Sequence, residues 1–160
     1  MDAEARKQLI EQYQDGYRVV AEALVGATDE ELDGRPAPGK WTARDVVHHL
    51  ADSEMTAAVR ARLLIAVDGP QIVGFDQDEF ARRLQYDRPI EASLEVFKAV
   101  RRATAELLER LTEADWAREG THTEHGRYTL ERWLEIYAAH AHNHAEQILV
   151  ARDAARKQHI

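Results

Sequence analysis

Cysteine is absent from the 160 residues. That excludes disulfides, thiolate metal ligands and a cysteine nucleophile. Long apolar runs are missing too, and nothing approaches the roughly 18–20 residues that a bilayer span requires. The opening segment "MDAEARKQLIEQ" is polar, without the hydrophobic stretch of a secretion signal. The expectation is a cytoplasmic protein with no membrane partner. Positive charge is in deficit: 21 Lys and Arg face 29 Asp and Glu, a net charge of −8. Such a surface repels nucleic acid and anionic lipid, so no nucleic-acid partner is expected. Strand signals are weak, and there is no internal repeat or low-complexity tract. What remains is 44% apolar and 31% charged, a soluble balance that can bury a core without staples. One domain over residues 1–160 is expected.

Helical periodicity accounts for most of the chain. Leu9, Tyr13, Tyr17, Val20 and Leu24 recur at steps of three and four, which predicts a helix from about Ala5 to Val25. "GATDEELDGRPAPGK" interrupts it, with room for one short turn capped by Thr28. Thr42 and Asp45 have capping-box spacing at the start of a second long helix, which should end near Val67 before "DGP". "FDQDEFARRLQ" reads as a short helix within a long connection. Pro89 precedes a third long helix, with Leu94, Phe97, Thr104, Leu107 or Leu108, and Leu111 facing one way. "EGTHTEHGRYT" reads as a loop or a small hairpin around Gly126. Thr129 can cap the fourth long helix, fraying after about Ala155. Trp41, Trp116 and Trp133 are expected as core or helix-entry anchors. Four amphipathic helices without strand partners predict an all-α four-helix bundle.

The fourth helix carries "HAHNHAEQI", three histidines in five residues. At about 100° per residue, His144 lies about 40° and His140 about 80° from the centre of the stripe formed by Leu130, Leu134, Tyr137 and Ile148. Spaced i, i+4, they stack on one face and can share a divalent cation. His142 points away, toward water or another chain. Ala141 stands where a zinc protease motif has its glutamate, which argues against that mechanism. A third ligand must come from another helix. On the second, Val46, Leu50, Ala57 and Leu64 mark the buried stripe. His49 sits on its shoulder and His48 nearer the opposite side, so helical phase favours His49. Asp52 and Ser53 lie one turn from His49, and Gln147 one turn from His144, as candidate supporting or substrate-contacting groups.

"GKWTARDVVHHLADSE" and the distant "LERWLEIYAAHAHNHAEQI" together resemble the DinB/YfiT-like superfamily, over nearly the whole chain. The resemblance implies up-down-down-up helix order and a zinc or nickel ion on three histidines, matching His49, His140 and His144. It also implies a homodimer. Many members are classed as metal-dependent hydrolases, and one branch transfers bacillithiol, with relatives that use mycothiol. Glu54 departs from the nearest branch, which has histidine there; this bears on substrate rather than on the metal site.

Three activities compete. A low-molecular-weight thiol, as co-substrate, could be transferred to an electrophilic small molecule, with Asp52 or Gln147 orienting the substrate and the Phe75–Arg83 connection forming one wall. The same site could hydrolyse a substrate with water, with Asp52 or Glu54 as candidate base. Or the bundle could bind a small ligand without catalysis. His122 and His125 lie in the loop before the fourth helix, where they could reach the site mouth but read first as solvated residues, and "ARKQHI" reads as a solvated tail.

Overall fold

The four periodic segments form the frame of the computed structural model, which describes residues 1–158. They are α1 (Ala3–Ala23), α3 (Ala43–Ala66), α5 (Glu91–Leu108) and α7 (Leu130–Gln158). Between them lie the short helices α2 (Asp29–Asp33), α4 (Gln77–Arg83) and α6 (Glu113–Trp116), and three short strands, β1 (Gln71–Ile72), β2 (Glu119–His122) and β3 (Gly126–Thr129). Local chemistry sets the helix starts. Asp2 accepts from the Ala5 amide, and Thr42 and Asp45 form a complete reciprocal capping box. No helix among the described residues is long and apolar enough to cross a membrane.

Contacts along the helices establish the order. Gln12 meets His142 and Ala23 meets Arg152, so α1 and α7 run parallel. His48 meets Ser93 and Glu54 meets Arg101, so α3 and α5 are also parallel. His49 meets His140 while Ala57 meets Trp133, so α3 and α7 are antiparallel. The bundle is therefore up-down-down-up. Two parallel neighbours, α3 and α5, require a long crossing connection, which explains the 24 residues between Ala66 and Glu91.

The apolar core falls into two lobes. One gathers Tyr13, Ala57, Ala105, Trp133 and Leu134; the other Val20, Leu50, Phe97, Ala141 and Ile148. On every long helix the residues between the lobes are small or polar: Gly16, Ser53 and Glu54, Arg101, and His140. A polar layer thus crosses the bundle at mid-height.

The structure decides two alternatives that the sequence left open, the hairpin around Gly126 and Leu107 or Leu108, and departs from the reading at β1, at the end of α7 and in α1. The chain from Glu119 forms an antiparallel hairpin, with Gly126 at φ 72° in its turn, and β1 adds a third, parallel strand beside β2. Two residues are too few for periodicity to reveal β1. The last helix does not fray after Ala155: that residue packs against Gly34, and Arg152 and Arg156 both pair with Glu31. His159 and Ile160 of the expected tail lie outside the described residues. In α1 the buried line runs through Ile10, Tyr13, Gly16 and Val20, leaving Leu9, Tyr17 and Leu24 on its shoulder. Leu108, not Leu107, takes the buried position in α5.

Candidate metal centre

His140 and His144 stand one turn apart on α7, and His49 faces them from antiparallel α3. Their Nε2 atoms converge: His49 to His140 is 3.3 Å and His140 to His144 is 3.1 Å. Nitrogens held at about 2.0–2.1 Å by a tetrahedral zinc lie roughly 3.3–3.4 Å apart, so the spacing suits a cation. The lone pairs suit one as well. Burial pushes His49 down to about 3 and His140 down to about 2, and neighbouring imidazoles add to both shifts. His144 is lowered by burial, against the opposing hydrogen bond that it donates to Gln147. All three are therefore neutral near pH 7, as ligands must be.

Gln147 Oε1 lies 2.8 Å from His144 Nδ1. An amide oxygen only accepts, so the ring carries its proton on Nδ1 and leaves the Nε2 lone pair toward the other histidines. Trp41 packs on the His49 ring, with centroids 4.8 Å apart. His49 Nδ1 is buried without a hydrogen-bond partner. His140 Nε2 lies within hydrogen-bond distance of two other ring nitrogens, and a single proton can serve only one of those contacts. A cation at their meeting point would satisfy all three lone pairs, and the residues present fit one.

The remaining candidates separate sharply. Asp52 is turned to the Tyr86 hydroxyl, which donates to its carboxylate at 2.7 Å; it is not among the residues that line the recess beside the triad. Glu54, weighed as a base, is instead enclosed. It pairs with Arg101 at 2.8 Å and accepts a short hydrogen bond from Tyr13. His48 does not face away from the bundle. It is 0% exposed, held by Ser93 at Nδ1 and by the Arg88 carbonyl at Nε2. His142 does not face solvent alone, since its Nε2 donates to the Gln12 carbonyl across the α1 contact.

The recess, about 210 Å³, opens beside His49 and His140. Its walls include Ser53, Arg60, Phe75, His122, Glu124 and Tyr137. The Phe75 end of the connection does form a wall, as expected. His122 is not a solvated loop residue: it reaches the site mouth, the alternative that its loop position left open. Pairing of Ile72 with His122 across β1 and β2 carries it inward, and it is buried. The Glu124 amide donates to its Nδ1, so the neutral ring presents Nε2–H. His122, Glu124 and His125 also bring ligand atoms close together. In that group Nδ1 of His122 is already engaged, and the other two side chains are exposed. Arg60 was missed altogether; only the sheet that covers it reveals it. A roomier groove of about 400 Å³ between Arg6, Ile10 and Trp116 is remote from these histidines.

The model of the DinB superfamily matches residues 12–148. A protein of Oceanobacillus iheyensis named "putative metal-dependent hydrolase" is 34% identical over 139 residues, 87% of this chain and 81% of its own length. A Geobacillus kaustophilus protein of the same name is 37% identical over 131 residues, 79% and 72% of the two chains. The structure of YfiT from Bacillus subtilis, described as a probable metal-dependent hydrolase with an unusual four-helix bundle topology, matches with a TM-score of 0.87 at 27% identity. That match covers 99% of this chain and 90% of YfiT.

Proposed function

The chain belongs to the DinB superfamily, and on that footing we propose that it is a metal-dependent enzyme that transfers a low-molecular-weight thiol to an electrophilic small molecule. The observation that carries the metal dependence is the convergence of three neutral imidazole Nε2 atoms on one point. His49, His140 and His144 would hold the cation, zinc or nickel, with Gln147 fixing the His144 tautomer. When bound, the cation supplies Lewis acidity, which lowers the pKa of a coordinated thiol or water. The recess admits the small partner, and Ser53 and Tyr137 offer it hydroxyl groups.

Thiol transfer is favoured by what the carboxylates of α3 are doing. Asp52 is bonded to Tyr86 and Glu54 to Arg101 and Tyr13. Neither is free to take a proton from water. A thiol, with an ordinary pKa of about 8.5, needs far less help than water at about 15.7. In the transfer the carbon–sulfur bond forms as the bond to the leaving group breaks, and the thiol proton passes to solvent. The absence of cysteine from the chain requires the thiol to come from outside. Hydrolysis is the second reading. The names of the relatives favour it, and Glu124 at the rim of the recess is its candidate base.

Metal titration of purified protein should show one tight divalent site per chain. His49→Ala and His140→Ala should each weaken it by more than about 100-fold, beyond the 10–100-fold that loss of a supporting group costs. Unchanged metal affinity in both variants would remove the basis of this function. A panel of small thiols with a haloalkyl electrophile then separates the chemistries. Thioether formed only with added thiol supports transfer. Loss of the electrophile without thiol, and its reduction in Glu124→Gln, supports hydrolysis.

A further inference from the structure

Arg60 is a buried cation in the wall of the recess. It is 8% exposed, and no carboxylate among the described residues forms an ion pair with it. Nη1 donates to the Tyr137 hydroxyl at 3.2 Å and Nη2 to the Val73 carbonyl at 2.7 Å, both neutral acceptors. Its Nε is buried with no partner at all. The guanidinium lies over the Phe75 ring at 5.6 Å. Charge this far from water is normally paired, because an uncompensated ion costs several kcal/mol. The protein keeps this one unpaired beside two of the three convergent imidazoles.

We propose that Arg60 anchors a carboxylate of the substrate, so that the molecule acted on is a small organic acid whose reactive group reaches toward His49 and His140. A guanidinium retains free N–H groups after the two bonds to Tyr137 and Val73, and its planar fork suits a carboxylate. His122 adds a neutral donor, Nε2–H, in the same recess. A single carboxylate fits better than phosphate. Arg60 is the one permanent cation in the lining, and the Glu124 carboxylate at the rim opposes a second negative charge. Glu124 is not the missing partner in this structure: it rests on Gly74, largely in solvent, and forms no ion pair with Arg60.

The inference rests on the recess being the reaction site, yet its test uses neither metal nor turnover, so each can fail alone. Metal-free protein is heated with propionate, propionamide or inorganic phosphate at matched ionic strength. At about ten times its dissociation constant, propionate should raise the thermal midpoint by roughly 3–6 °C. Propionamide, equal in size and neutral, should not. Arg60→Gln should abolish the propionate shift, and Arg60→Lys, which keeps the charge, should retain part of it. In wild-type protein, propionate should also perturb the ring resonances of His122 and Tyr137, a readout that survives if Arg60→Gln does not fold. Equal shifts with propionate and propionamide, a propionate response retained in Arg60→Gln, or ring resonances that stay put would overturn the anchor. A larger shift with phosphate would overturn the carboxylate. Propionate binding that appears only in Glu124→Gln would make Glu124 the native counter-ion and overturn the proposal.

Discussion

Two buried arginines reach the same tyrosine from different helices. Arg101, on α5, donates to the backbone carbonyl of Tyr137; Arg60, on α3, donates to its hydroxyl. Around Arg101 the accounting is complete. Its Nε and Nη2 bind Glu54, its Nη1 binds the Tyr13 carbonyl, and Tyr13 returns a hydrogen bond to Glu54. Tyr13 and Phe97 cover its faces. Gly16 makes room for it, since a Cβ there would collide with the guanidinium. Around Arg60 the accounting stays open, with neutral acceptors, an unpartnered Nε and a recess alongside. His49 Nδ1, in the same recess wall, is the other buried side-chain polar atom without a partner among the described residues. A fully satisfied polar cluster locks helices together, whereas a partly satisfied one stores free energy that a ligand can release.

The contrast is broken most severely at Arg101. Arg101→Met leaves the Glu54 carboxylate buried without its partner and should cost about 3–5 kcal/mol in urea unfolding. A loss below about 1 kcal/mol would mean that the network does not hold the bundle.

Acid probes the other region. In metal-free protein, each triad histidine protonates near pH 6.5 when unfolded and resists protonation when folded. The folded values are depressed. The stability they contribute is therefore complete above about pH 6.5 and is lost as the pH falls toward the values of about 3 for His49 and about 2 for His140. Between pH 7 and 4.5 His49 and His140 should each lose roughly 2.5 kcal/mol, about 5 kcal/mol together. The double variant His49→Asn, His140→Asn should flatten that dependence; an unaltered slope would point to other groups.

The smallest effect is the sharpest comparison. Arg60→Met removes a desolvated charge that has no counter-ion. Relief of its desolvation cost is offset by loss of its bonds to Tyr137 and Val73 and its contact with Phe75, so stability should change by no more than about 1 kcal/mol, against the large loss for the same substitution at Arg101. Comparable losses at both positions would erase the distinction between a structural and a ligand-seeking arginine.

Much of the frame was legible without coordinates. Thr42 and Asp45, just ahead of the buried Val46 and Leu50 of α3, announce its start because capping is local chemistry. The i, i+4 step from His140 to His144, and the choice of His49 over His48 as their partner, follow from helical phase alone. Composition alone excludes cysteine chemistry. What phase could not reveal is what each shoulder residue meets. Asp52 and Glu54 flank Ser53 in the chain, yet one meets Tyr86 and the other Arg101 and Tyr13. His48 is enclosed because Arg88, just ahead of α5, and Ser93, in its first turn, come against it. His122 enters the recess through a strand pairing of two residues, and Arg60 lacks a counter-ion only because of what folds around it. A helix's period is written in its own residues. Whether a buried charge is answered depends on side chains tens of residues away, and only the packed bundle brings those into reach.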